Sequence, residues 1–544
     1  MAKLKSEMKY INGRYRVPWM WKLPRTELSR NYSYALCRLK SLVSGLRKKG
    51  LMEKYDKTLQ KHNDTKVTED ADSSSQYLQK ESVVTHYLPH HDVESESMGV
   101  KKLRVVFEGC AKTHKWKKSL NDCMYQGPNL LTNMCGLLLR LRLNPIGLMA
   151  DVEQAYIQLD LEPVDRDVTR FLWLKDINKP VSDENIREFR FCRVIWGVVC
   201  SAFLLAGVIM IHLQQYQTPV SQDIADNLYA DNLVTGGVSV KECNDYYDET
   251  KKIFNDAGMN MCKWVSNNKD VMRYIKEEDR LLDIHVKLLG LIWHLNNDTL
   301  GFRTLNANEV PVDITKRGIL KFSSSPFDLL GLVAPILLKP KLMIQDLWKA
   351  KVGWDSRIPE QYMKSWLGIK KDLLRIGEIV VERCINPDKG TCGPQRFQLV
   401  CFSDASKVAY AAVIYLKIMN EENQSSNTHI IYSKNRLAPI KENLTIPRLE
   451  LMGVVIGCRM IKFVSDQLKI NLEKSILFTD SKCVVEWTKT KKSLRRFTGD
   501  RVKEIVDSGT QIAYVKAEDN QADVAFRGST VDKFFKQFFV VAWS

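Results

Sequence analysis

The sequence predicts a multidomain chain of mixed α/β and α+β class, and three observations carry that prediction. The chain has 544 residues, room for roughly three or four domains of about 100–200 residues each. Apolar residues make up 44%, an ordinary share for protein with sizeable cores. The pattern also changes character along the chain. Helical spacing comes first, then short β runs mixed with helices. From Arg396 a β, β, α, β, α order fits a separate α/β domain.

Taken in order, residues 1–62 read as a basic helical region. "YALCRLKSLVSGLRKKGLMEKYDKTLQKH" places apolar residues at helical spacing. Residues 1–50 hold 13 Lys/Arg against 2 Asp/Glu, a net of +11 within a whole-chain charge of +17. Such a basic arm suits a polyanion, most often nucleic acid. Residues 63–86 read as a polar linker centred on Ser73-Ser74-Ser75.

Residues 87–298 mix strands and helices. "KLRVVFEG" is a strand, and "GLMADVEQAYIQLDL" is a strand that ends in carboxylates. "LYADNLVTGG" (228–237) has the form of a tight hairpin with Asp231 at its turn. Residues 194–211, "VIWGVVCSAFLLAGVIMI", are nearly uninterrupted apolar residues at the length threshold for a membrane span. Arg193 and His212 flank them closely, and Gly197, Ser201 and Ala202 dilute the front half. A buried helix entered through a glycine-containing turn is the better account.

Residues 299–395 are mixed, with the apolar run "LLGLVAPILL". Within 396–530, "FQLVCFSDASKVAYAAVIYL" reads as two strands around a polar turn. "IPRLELMGVVIGCRMIKFV" reads as a helix with Pro in its first turn, and "SILFTDSKCVVEW" as a strand into a helix. Residues 531–544 form a divergent tail.

The 13 cysteines show no CxxC pair and no Cys/His cluster at zinc spacing, which excludes a zinc finger or knuckle. With no signal peptide, they read as reduced thiols of an intracellular protein, cytoplasmic or particle-associated, with the nucleus also open. No GxxxxGK[ST] or HExxH motif occurs. Adjacent His90 and His91 on an extended segment point apart and read as structural.

Two carboxylate sets point to chemistry. Asp151 ends an apolar strand and Asp231 sits on the hairpin turn. Strand-end carboxylates far apart in sequence can meet at one sheet edge and hold two magnesium ions. Ions about 3.5–4 Å apart can activate one oxygen and stabilise another in an in-line displacement at phosphorus. The second set is Asp404, Glu450, Asp480 and Asp523, each in a largely apolar segment where an unpaired charge is costly. Four in one domain suggest a compensating cation, with ordinary surface carboxylates as the alternative.

These residues carry a resemblance. The chain is similar to the polymerase part of a BEL/Pao-type retrotransposon Pol polyprotein, a family part of which also carries the label Pao retrotransposon peptidase. The blocks run from about residue 10 to 530. They include "YLPHHDV" (87–93), "KLRVVFEGCAKT" (102–113), "SLNDCMYQGPNLL" (119–131), "ADVEQAYIQL" (150–159), "YADN" (229–232), "TKRGILKFSSSPFDLLGLVAP" (315–335), "IPRLEL" (446–451), "TDS" (479–481) and "NQAD" (520–523).

The resemblance implies a right-hand polymerase with fingers and palm over 87–298, a thumb or connection region over 299–395, and a ribonuclease H-like α/β domain over 396–530. It implies a reverse transcriptase, that is, an RNA-directed DNA polymerase, with ribonuclease H activity. Its partners would be an RNA template, a DNA primer, dNTPs and an RNA/DNA hybrid, with Mg²⁺ at both sites and no membrane. Other parts of the polyprotein are further expected partners.

Residue by residue, the resemblance assigns Asp151 and Asp231 to the palm metals. Tyr156 becomes the gate against the ribose 2′-hydroxyl, and Arg104 the triphosphate contact. Gly197 falls in the block around the templating base and dNTP, and Lys263 becomes a proton donor to pyrophosphate. Asp404, Glu450, Asp480 and Asp523 become the ribonuclease H metal ligands. The chain departs from the family at Asn232, where a second Asp is usual, at Ile195, Trp196 and Ala202, and at Glu108. These departures imply a truncated or partly decayed copy. The alternatives are a non-catalytic nucleic-acid-binding remnant and an aspartic peptidase. For the peptidase, "VDSGT" (506–510) offers one Asp-Ser-Gly loop without a second.

Overall fold

The computed structural model describes residues 1–71, 84–97, 100–283, 285–310, 314–390, 393–422, 425–440 and 444–538. Residues 72–83 of the expected linker and 539–544 of the expected tail lie outside the described residues. The chain divides into two compact units, each discontinuous in sequence. One comprises Met1–Thr132, Ala150–Leu233 and Asp245–Trp264; the other comprises Asn133–Met149, Val234–Asn244 and Val265–Ser544.

In the first unit, the basic N-terminal segment becomes mainly helical only from Tyr32. Before it, Lys9–Ile11 and Arg14–Val17 pair antiparallel. Asn12 and Gly13 between them both have positive φ, 51° and 77°, the turn that Asn-Gly favours in hairpins. Helices Tyr32–Lys49 and Met52–Asp64 follow, burying Leu39, Val43 and Leu46 on the first and Tyr55 and Leu59 on the second. The segment is therefore built into the core and is not a free arm: Leu4, Val17 and Trp19 are buried. Part of its charge is already paired, Lys9 with Glu162 at 2.7 Å, Arg25 with Asp165 at 2.6 Å and Lys49 with Asp92 at 2.6 Å.

Inside the expected linker, Thr68–Asp70 is a strand pairing antiparallel with Ile186–Phe191. His90 and His91 do diverge. His90 is buried, its Nδ1 2.5 Å from the Tyr55 hydroxyl and its Nε2 2.9 Å from the Leu172 carbonyl, while His91 meets Glu108 at 2.9 Å. The apolar run forms the helix Ser201–Leu213. No helix among the described residues is long and apolar enough to cross a membrane.

The second unit carries a four-stranded sheet, His285–Leu288, Leu291–His294, Thr299–Gly301 and Val380–Glu382, and the helices Ala334–Lys349 and Met363–Leu374. Its second sheet has five strands in the order Ser426–Leu437, Ala409–Asn420, Gln395–Ala405, Glu473–Thr479, Gln511–Tyr514. The first three run antiparallel, and the last two join in parallel. Two of the antiparallel strands and one parallel strand match the sequence-based expectation; Ser426–Leu437 and Gln511–Tyr514 complete the sheet.

Helix Ile446–Leu468 buries Leu449, Val454 and Ile461. At Gly457 a Cβ would come 2.5 Å from Leu477 Cδ1, so the missing side chain lets helix and sheet approach. The "VDSGT" segment ends helix Arg496–Asp507. Ser508 Oγ donates to the Ile505 carbonyl at 2.6 Å and Gly509 has φ 68°. That makes it a helix terminus, with no catalytic loop geometry.

Candidate metal centre and polymerase-type site

Parallel neighbours that end together put their last residues side by side. Ser403 pairs with Thr479 in adjacent parallel strands. Asp404 and Asp480, one residue further on each, are thereby brought together. Glu450 comes from the first turns of helix Ile446–Leu468. The three carboxylates each offer an oxygen within 4.8 Å of the others. Asp404 and Glu450 are buried, at 5% and 8% exposure.

Crowding of like charge away from water shifts all three. Burial, then the charges of Asp404 and Asp480, push Glu450 up to about 9. Burial, then Asp480, push Asp404 up to about 7. Burial raises Asp480 as well. The backbone N–H of Ala405 donates to Asp404 Oδ1 at 2.7 Å, whereas Glu450 Oε2 is buried with no hydrogen-bond partner. An orphaned carboxylate oxygen among hard oxygen donors is what a divalent cation would satisfy. The residues present therefore fit such a metal.

The fourth expected ligand, Asp523, is the first residue of helix Asp523–Arg527 and accepts from Arg527 Nε at 2.6 Å. It lies outside the three-carboxylate group, although its charge raises both Asp404 and Asp480. Asn520 carries no role in the sequence-based assignment. It is buried, and its Nδ2 donates to the Ser403 carbonyl at 3.1 Å and to Asp480 Oδ1 at 3.3 Å. Its place in "NQAD" was the available signal.

Asp151 and Asp231 both belong to the first unit; Asp151 lies near the end of strand Ile146–Val152 and Asp231 on the turn between Leu228–Tyr229 and Asn232–Gly237. These strands share a sheet with Met261–Ser266, in the order Leu228–Tyr229, Asn232–Gly237, Ile146–Val152, Met261–Ser266. The Val152 N–H donates to the Asp231 carbonyl at 2.7 Å. Burial, then the charge of Asp151, raise the Asp231 carboxyl. The expected pair does meet.

Two neighbours modify that pair. Lys263 forms an ion pair with Asp151, so in this structure it neutralises a carboxylate that the resemblance gives to metal. Asn232 Nδ2 donates to Asp231 Oδ1 at 2.8 Å. The Tyr156 ring packs edge-on against Trp196 at 5.4 Å. Its hydroxyl is raised by burial and then by Asp231.

Gly197 has φ 92°, and a Cβ there would lie 2.2 Å from the Phe107 carbonyl oxygen; no other residue fits without strain. Asn121 fastens this turn, donating to the Gly197 carbonyl at 3.0 Å and accepting from the Val199 N–H at 2.9 Å. Arg104 is exposed on strand Val100–Phe107 opposite Val93. Among the described residues no hydrogen bond or ion pair ties it to Asp151 or Asp231.

Residues 315–481 match the family model described as Pao retrotransposon-like RNaseH-like domain. No curated protein matches the chain in sequence. Among solved structures, the foamy viral protease-reverse transcriptase dRH in complex with ds DNA aligns with a TM-score of 0.54 and 14% identity, over 83% of this chain and 67% of that one. The foamy viral protease-reverse transcriptase in complex with dsDNA aligns with a TM-score of 0.50 and 14% identity, over 85% of this chain and 82% of that one. At such identity the likeness is one of fold.

Fold and site thus define a mixed α/β multidomain chain similar to retroviral reverse transcriptase, with an acidic cluster in its RNaseH-like part. The family match and the shared fold together support a Pao/retroviral-type Pol region.

Proposed function

We infer that the chain is the RNA-directed DNA polymerase and ribonuclease H region of a BEL/Pao-like retrotransposon. Fingers and palm would lie over 87–298, thumb or connection over 299–395, and ribonuclease H over 396–530. The observation that carries this reading is the convergence of Asp404, Glu450 and Asp480, with a buried Glu450 oxygen left unpartnered. Magnesium ions, when bound, supply Lewis-acid activation of an attacking oxygen and charge stabilisation at phosphorus.

The chain's own residues do the rest. Asp404, Glu450 and Asp480 would hold the ions, and Asp523 would add negative charge beside them. Asn520 fixes the Asp480 carboxylate by its hydrogen bond. Burial of Asp404 and Glu450 keeps water from solvating their charges, which strengthens their hold on a cation. In the polymerase half, Asp151 and Asp231 would hold the ions, Tyr156 would screen the nucleotide sugar, and Gly197 lets its turn pack against the Phe107 carbonyl. Lys263 would have to leave Asp151 before protonating a leaving pyrophosphate.

The Lys263–Asp151 pair and Asn232 favour one second reading, a chain whose ribonuclease H works while its polymerase is weak. Assaying the purified chain with Mg²⁺ on a primed RNA template and, separately, on a labelled RNA/DNA hybrid tests both. Cleavage with extension supports the first reading, and cleavage alone supports the second. The absence of both products would sink the proposal.

A further inference from the structure

Three tyrosines and a histidine meet in the first unit around a cavity of about 440 Å³. Tyr10 comes from strand Lys9–Ile11 and Tyr15 from its hairpin partner Arg14–Val17. His212 lies at the end of helix Ser201–Leu213, and Tyr216 in the turn after it. The rings follow one another at steep angles. Tyr10 and Tyr15 are 5.0 Å apart at 60°, Tyr15 and His212 5.6 Å at 77°, and His212 and Tyr216 5.2 Å at 66°. Rings turned this way keep faces open as walls, where parallel stacking would hide them. Asp256, exposed at the end of helix Val240–Asp256, lines the same cavity.

The hydroxyl protons are already committed. His212 Nε2 lies 2.7 Å from the Ile253 carbonyl, which can only accept, so that nitrogen carries the ring proton. His212 Nδ1 therefore accepts from the Tyr15 hydroxyl at 2.8 Å. Tyr216 donates to Asp256 Oδ2 at 2.8 Å, and Tyr10 to the Asp256 carbonyl at 2.6 Å. Burial holds the His212 imidazole below its ordinary value, so the ring is uncharged at neutral pH. What the cavity offers is the negative faces of its rings and a carboxylate, and these attract a cation. Lys5, exposed, is the one cationic side chain among the described lining residues.

The kind of cation follows from the same inventory. A bare ammonium brings three N–H donors, and one carboxylate cannot satisfy them all away from water. A methylated ammonium has few donors or none, sheds water at less cost, and can lay its methyl groups on Met8 and Ile211, which also line the cavity. The strand that carries Tyr10 adds a second clue. Lys9–Ile11 is the outer strand of its three-stranded sheet, with Lys9 and Tyr10 exposed. An exposed edge takes an extended segment of another chain alongside it. We propose that this cavity binds a methylated lysine side chain presented by an extended segment of a protein partner. None of its lining residues belongs to either carboxylate site, so the proposal stands apart from the polymerase and ribonuclease H reading.

The test titrates the full chain calorimetrically with four probes. These are a capped peptide with one trimethyllysine among small uncharged residues, the same peptide with plain lysine, the same peptide with a neutral tert-butyl group in place of the trimethylammonium, and choline. The trimethyllysine peptide should bind about tenfold more tightly than the lysine and tert-butyl peptides. Tyr10→Ala and Asp256→Asn should each weaken it about fivefold or more, and Tyr10→Phe, which keeps the ring face, should hold most of the affinity. Tyr10 is 53% exposed, so its truncation leaves the core intact. Tyr10→Ala should leave RNA/DNA hybrid binding, which rests on phosphate contacts, within about twofold.

Equal binding of the tert-butyl peptide would overturn the proposal, because the attraction would then be apolar only. So would unchanged binding by Tyr10→Ala, or weakening of the hybrid as large as that of the peptide. Choline bound with the peptide refused would make this a seat for a small free cation and would overturn the protein partner. If the wild type cuts the hybrid and binds none of the four probes, this inference alone falls.

Discussion

Replacing Glu450 by Gln separates metal binding from stability. Folding raises this carboxyl from 4.5 to about 9, so the folded chain binds a proton that the unfolded chain releases. The stability of the metal-free fold is therefore full below about pH 4.5 and is lost as pH rises toward 9. At pH 7 the cost of this one group is on the order of 3 kcal/mol, from about 1.36 kcal/mol per pH unit. Gln keeps the shape and removes the charge.

Without metal at pH 8, Glu450→Gln should thus melt higher than the wild type, although it binds metal more weakly. Proton counting gives the second readout. At pH 7 Glu450 is protonated and Asp404, at about 7, is half so. Divalent metal should then displace protons from the wild type, and about one fewer from the variant. Calorimetric titration with Mn²⁺ or Mg²⁺ in buffers of different ionisation enthalpy measures this, and the release should vanish well above pH 9. A lower melting midpoint for metal-free Glu450→Gln would refute the reasoning. So would metal uptake by the wild type with no proton released at pH 7.

At the polymerase-type site, Asn232→Asp exchanges a donor to Asp231 for a second carboxylate. It should raise single-turnover primer extension in Mg²⁺, and Asp231→Asn should remove it; wild-type extension by Asp231→Asn would mean that this turn is not catalytic. Because the basic N-terminal segment is part of the core, its role is best probed by substitution. Lys40→Gln with Lys48→Gln, both exposed, should lower the salt slope of duplex binding by about 0.9 for each phosphate left unneutralised, and an unchanged slope would make them solvated surface only. Gly197→Ala forces a Cβ toward the Phe107 carbonyl at a positive φ. It should cost about 1–3 kcal/mol in a denaturant titration, and an unshifted midpoint would contradict the close approach.

Much of the site was legible because buried charge is conspicuous. Asp404 and Asp480 each end an apolar run, and parallel strands bring such ends together. Glu450 stood out as a carboxylate inside an apolar helix. Harder to read were features set by long-range pairing. Strand Ser426–Leu437 is polar along much of its length, and its place at the sheet edge comes from its partner Ala409–Asn420. Asn520 looks like a loop residue until the fold buries it against Ser403 and Asp480. The hairpin Lys9–Val17 had a local signal in Asn12-Gly13, which the helical spacing further along obscured. The Lys263–Asp151 pair joins residues 112 apart, beyond any local pattern.

Asp404, Glu450 and Asp480 are proposed to hold metal for cutting RNA. The most direct measurement is cleavage of an RNA strand, labelled at its 5′ end, in an RNA/DNA hybrid by the full chain in Mg²⁺, beside Asp480→Asn at equal concentration. Internal cuts are expected from the wild type and none from Asp480→Asn, with hybrid binding retained by both. Equal cleavage by the two proteins, or an intact RNA strand with the wild type bound to the hybrid, would contradict it.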